Sequence, residues 1–169
     1  MVLTPHLLVG AALGSRIKNY WAVFVLAILS HLILDAIPHW EYTSRLAGVS
    51  TYEFWLVVAK SFLDLLVGAA IVFWLARSSP AWRQMALGAL AALLPDGLLF
   101  LYFFFQRFFS LDVAMLRWFY IITMRAHFLE TNNRFFIDII AEGATALAAL
   151  LVLVPDKLKS RQKSTPLSR

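Results

Sequence analysis

Between Phe54 and Ala76 the chain is apolar throughout except for Lys60, Ser61 and Asp64. A run of this kind exceeds the ~20 residues that cross a ~30 Å hydrocarbon core. In lipid, an unpaired backbone group has no water to turn to, so such a run is helical unless it belongs to a closed barrel. Comparable runs occupy positions 20–37, 81–106 and 134–154. Their sum is what makes the chain 61% hydrophobic and only 15% charged, against about 45–50% and about 25% in soluble domains. One small core cannot absorb that surplus, and the expected solvent is a bilayer. The fold expected is all-α: an integral membrane bundle of four to six hydrophobic helices with a short first helix, over residues 1–155. Residues 156–169 read as a basic, disordered cytoplasmic tail.

The helix boundaries follow from local signals. Thr4-Pro5 suits a helix start, with a capping hydroxyl and a proline in the first turn. The first helix then stops near Gly14, too short to span alone. The second runs from Tyr20 to Ile37, and Pro38 ends it. The third covers Thr51–Arg77. The fourth covers Ala81–Gln106, with a small-residue face at Gly88, Ala89, Ala91 and Ala92 and an expected interruption at Pro95-Asp96-Gly97. The segment Leu111–Phe128 carries Asp112, Arg117, Arg125 and His127, and is expected to lie along the membrane surface. The last helix, Arg134–Val154, is expected to stop at Pro155.

The net charge of +5 and the lack of cysteine narrow the function. Without cysteine there are no disulfides, thiolate metal sites or cysteine nucleophiles. The basic residues gather in the tail rather than on an interleaved face, which argues against nucleic acid and for a topology anchor. With spans at helices two, three, four and six, Arg16, Lys18, Arg77, Arg83 and the tail share one side. That side is expected to be the cytoplasmic face of a bacterial inner membrane. Met1–His6 lacks the basic start of a signal peptide.

The chemistry lies in Ser30-His31-Leu32-Ile33-Leu34-Asp35-Ala36-Ile37-Pro38-His39-Trp40. On a helix, His31 and Asp35 are one turn apart on one face. Ionisable groups at such depth mark function unless they pair among themselves. His6, Asp64 and Asp96 fall in the same half of the bundle, with His127, Glu130 and Asp138 near the start of the last helix. Imidazole and carboxylate without thiolate suit zinc by default, with manganese or iron as alternatives. The candidate ligands are His6, His31, Asp35, His39, Asp96, His127 and Asp138, with Asp64 and Glu142 as catalytic carboxylates. A metal held there would lower the pKa of a bound water to about 7. Against this stand blander readings. Lys60 and Asp64 would neutralise each other, His39 beside Trp40 would join an interfacial belt, and Asp96 would cap half of a broken helix.

Thr4-Pro5-His6, His31-x-x-x-Asp35 and Leu93-Leu94-Pro95-Asp96 together resemble the membrane-bound metal-dependent hydrolases, the family that includes inner-membrane hydrolases of the LexA-binding type. The resemblance covers about the first hundred residues. It implies a divalent metal at these positions and hydrolysis of an ester. A looser likeness to all-helical zinc phospholipases C implies a phosphoester or lipid-linked substrate. Where the hydrolase family continues its Pro-Asp into Asp-His, this chain has Gly97-Leu98. The competing expectations are a small transporter or ion-binding protein, which at this length would work as a homo-oligomer, and a non-catalytic membrane scaffold. No Gly-x-Ser-x-Gly elbow, P-loop or His-Glu-x-x-His is present.

Overall fold

The computed structural model describes residues 3–37, 49–126 and 135–164. Six helices occupy them: α1 (Leu3–Arg16), α2 (Tyr20–Asp35), α3 (Thr51–Ala76), α4 (Trp82–Phe109), α5 (Ala114–Ala126) and α6 (Phe135–Ser164). No strand occurs among the described residues, so the chain is all-helical, and the expected short first helix is present. Helices α3, α4 and the Phe136–Pro155 part of α6 are long and apolar enough to cross a membrane. Helix α2, with 16 residues, is about 24 Å long. It is shorter than the full span expected for positions 20–37.

Local chemistry sets the helix starts. Asn19 accepts hydrogen bonds from the amides of Trp21 and Ala22 at the head of α2. Ser50 and Glu53 form a reciprocal capping box at the head of α3, satisfying amides that have no partner within the helix. Two expected breaks do not occur. Helix α4 runs through Pro95, and α6 runs through Pro155. Proline removes one ladder bond, but packing neighbours let a membrane helix carry that loss; Pro95 is fully buried. Helix α4 ends instead at Ser110, whose left-handed φ of 52° turns its own amide and that of Leu111 back onto the Phe105 carbonyl.

Helix α4 is the axis of the bundle: 44% of its apolar window is buried, against 11% for α3 and for α6. Around it lie three apolar clusters. Leu8, Ala11, Leu75, Met85 and Leu153 join α1, α3, α4 and α6. Ala27, Ala91 and Ala92 join α2 to α4. Phe54, Leu99, Tyr102, Phe103 and Leu116 join α3, α4 and α5 at the other end. The outer faces of α3 and α6 expose Phe62, Leu63, Phe73, Ile140 and Leu151, a surface suited to lipid. Helix α5, with 13 residues, is about 20 Å long and too short to span.

The closest helix contact lies between α1 and α4. A methyl group on Gly10 would overlap the carbonyl of Gly88, one on Gly88 would overlap the carbonyl of Gly10, and one on Gly14 would overlap the carbonyl of Gln84. The two helices are therefore antiparallel and nearly in backbone contact, with the small-residue face of α4 turned to α1.

Candidate metal centre

Three stripes of residues at four-residue spacing lead to one point. On α1 the stripe is Gly14, Gly10, His6; on α4 it is Gly88, Ala92, Asp96; on α2 it is Val23, Ala27, His31, Asp35. The Gly10–Gly88 crossing sets the α1–α4 register and leads one helix towards His6 and the other towards Asp96. Val23 approaches Gly88 and Ala27 packs on Ala91 and Ala92, so α2 runs parallel to α4 with His31 and Asp35 following. Small residues draw the three backbones together, and the polar residues occupy the next turns.

At that point the imidazoles of His6 and His31 stack with ring centroids 4.0 Å apart. Asp35 lies between them, its Oδ1 3.4 Å from His6 Nε2 and its Oδ2 3.0 Å from His31 Nε2. Asp96 Oδ1 is 3.7 Å from His31 Nε2. His6, His31 and Asp35 are buried, while the Asp96 side chain keeps 18% of its surface exposed. Ligand atoms from His6, His31 and Asp96 all lie within 4.8 Å of one another, a group able to hold a metal ion; Asp35, expected as a ligand, borders this group without belonging to it.

Three features fit a divalent cation. First, ligands 2.0–2.2 Å from a metal stand about 3.0–3.5 Å from their neighbours in octahedral or tetrahedral geometry, close to the separations found here. Second, two carboxylates, Asp35 and Asp96, meet inside an apolar bundle. That burial is costly unless balanced. Third, among the described residues none of the four ring nitrogens of His6 and His31 meets hydrogen-bond geometry with a partner. Their contacts with carboxylate are close enough for Coulomb attraction but outside the geometry of an N–H···O bond. Buried imidazole nitrogens are normally satisfied, and a cation would do it.

The remaining candidates are placed elsewhere. Asp64 belongs to the start of α1: its Oδ2 accepts the Thr4 amide at 3.1 Å and its Oδ1 the Thr4 hydroxyl at 2.7 Å, and the same hydroxyl reaches the Asp64 carbonyl at 3.0 Å. A carboxylate is favourable there, since the first amides of a helix present partial positive charge. Thr4, expected to cap α1 with its own oxygen, instead donates to α3. Asp138 and Glu142 stand half-buried on α6, which packs against α1 and α3; the metal-competent group does not include them. His39, His127 and Glu130 lie outside the described residues.

Missing from the sequence reading were the glycines that create the site. The usable signal is their register: Gly10 and Gly14 follow His6 by one and two steps of four, and Gly88 precedes Asp96 by two such steps. A comparison of the chain with known protein families, with curated proteins and with solved structures finds no match.

Proposed function

We propose that the chain is a membrane-embedded, metal-dependent hydrolase in which His6, His31 and Asp96 hold one divalent cation, zinc by default, with Asp35 beside the two imidazoles, and that it cleaves a phosphoester. The observation that carries this reading is the convergence of two hydrogen-bond-free imidazoles and two carboxylates from three helices. The motifs behind the resemblance, Thr4-Pro5-His6, His31-x-x-x-Asp35 and Pro95-Asp96, are the ones that meet there. The donor set of nitrogen and oxygen without sulfur suits zinc, manganese or iron. A divalent cation supplies Lewis acidity, lowering the pKa of a water to about 7.

The protein's part is to hold and move protons. Asp35 touches both imidazoles and fixes their orientation, as carboxylates beside metal-site histidines do. Asp96, the member that keeps part of its surface exposed, would hold the cation with one carboxylate oxygen and take a proton from the attacking water with the other. The net reaction joins the water oxygen to phosphorus and breaks the phosphorus–oxygen bond to the leaving alcohol. The water proton passes through Asp96 to that alcohol.

The test is release of the alcohol or phosphate product from mixed phospholipids by protein in detergent. Dialysis against a chelator should abolish turnover and added zinc should restore it. Asp35→Asn should lower metal affinity or activity by roughly 10–100-fold. Chelator-insensitive turnover, or full activity in His31→Ala, would contradict the proposal. The basic end is proposed to face the cytoplasm.

A further inference from the structure

Lys60 is a cation on the outer side of a helix built for lipid. It is exposed on α3, inside a helix long and apolar enough to cross a membrane. The ion pair considered for Lys60 and Asp64 does not form. Asp64 directs both carboxylate oxygens to Thr4, and among the described residues no carboxylate pairs with Lys60. A bare ammonium is costly in hydrocarbon, and its flexible stem carries it towards the headgroups.

Helix α3 has its own measure of depth. Trp55 and Trp74 are both exposed and stand 19 residues apart, about 28 Å along the helix. That matches a hydrocarbon core of ~30 Å with a tryptophan at each boundary. Trp74 lies towards Arg77 and the basic end, and Trp55 marks the opposite boundary. Lys60 follows Trp55 by five residues, about 7.5 Å deeper. Helical side chains lean towards the N-terminus, here towards Trp55, and an extended lysine stem reaches about 6 Å. The ammonium therefore comes within about 2 Å of the Trp55 boundary, where a phospholipid phosphate can meet it.

Glu53 precedes Lys60 by seven residues on the same face, with Leu56 between them and Leu63 and Val67 below; all five are exposed. Glu53 Oε2 accepts the Ser50 amide and hydroxyl, each at 2.8 Å, so its carboxylate points away from the hydrocarbon. That leaves the carboxylate and the raised ammonium roughly 8 Å apart, too far to pair. A phosphate on Lys60 and an ammonium on Glu53 fill that interval, each with a charge-assisted hydrogen bond of about 2.8 Å. Phosphatidylethanolamine carries both charges in that order. Phosphatidylglycerol has no cation for Glu53, and the choline of phosphatidylcholine has no N–H to donate.

We infer that this face of α3 binds a phosphatidylethanolamine of the leaflet opposite the basic end. Its phosphate sits on Lys60, its ethanolammonium on Glu53, and an acyl chain follows Leu63 and Val67. Lys60 is no member of the metal-competent group, so this lipid is held whether or not the centre turns over.

The full chain, stripped of lipid in detergent, is titrated separately with phosphatidylethanolamine, phosphatidylcholine and phosphatidylglycerol and read by native mass spectrometry. The wild type should retain phosphatidylethanolamine several-fold more than either other lipid. Lys60→Gln should lose that advantage and Lys60→Arg should keep it. Glu53→Gln, which preserves a capping box, should let phosphatidylglycerol bind as well as phosphatidylethanolamine. Equal retention of the three lipids by the wild type, or an undiminished advantage in Lys60→Gln, overturns the inference. So does a wild-type dimer that Lys60→Gln dissociates, because an acidic group of a second copy would then be the partner of Lys60.

Discussion

Asp64 and Asp96 are two aspartates on apolar helices with opposite surroundings. Asp96 stands beside His31 at 3.7 Å, whereas Asp64 is committed to Thr4. Sequence alone ranked them together, because both are ionisable groups inside apolar runs. What separates them is the nearest donor, which is 60 residues away for Asp64 and invisible to any local pattern. The His31–Asp35 pair was legible because helical spacing alone brings it together. The addition of His6 was not, since it depends on where α1 docks. Asp64→Asn should therefore lower stability by about 1–3 kcal/mol, the usual cost of weakening hydrogen bonds to a charged group, here a half-buried one. Metal content should stay unchanged. Thermal unfolding in detergent alongside elemental analysis separates the two, and loss of metal in Asp64→Asn would return it to the catalytic group.

Among the elements, the α1–α4 crossing determines whether a site exists. Helix lengths were readable from hydrophobic runs, and the starts at Asn19 and Ser50 follow known capping chemistry. The stops were less so: Pro95 and Pro155 were expected to break helices that run on. The cost of proline is met by packing, which a one-dimensional reading does not contain. Gly88→Ala places a methyl group against the Gly10 carbonyl. It should cost about 1–3 kcal/mol, as overpacking does, and lower metal affinity with it, because the shifted helices carry His6 and Asp96. Gly97→Ala, with open space around it, should leave both nearly unchanged. The pair tests whether the small residues of α4 act by allowing contact or merely by being small. Equal effects would contradict the crossing argument.

For the whole molecule, the distribution of charge predicts orientation. Arg16, Lys18, Arg77 and Arg83 share one end, and Arg16 also reaches the carbonyl of Val152 on α6 at 3.2 Å, bringing the end of α6 to the same side. The opposite end carries Arg107, which reaches Thr51 at 3.3 Å, and on α5 Arg125 and Arg117, the latter paired with Asp112 at 2.8 Å, whereas the basic end adds Lys157, Lys159, Arg161 and Lys163 of α6. The excess of basic residues should keep its end in the cytoplasm. In intact cells a membrane-impermeant maleimide should label Ser110→Cys and spare Ser79→Cys until the cells are lysed; the reverse pattern would invert the molecule. Orientation does not decide whether the centre binds metal. That central claim is tested most directly by elemental analysis of the purified protein beside its His31→Ala and Asp96→Ala variants. The wild type should carry one transition-metal ion per chain, and either variant little or none. Well-folded wild-type protein without metal after incubation with zinc, or variants that retain a full equivalent, would contradict it.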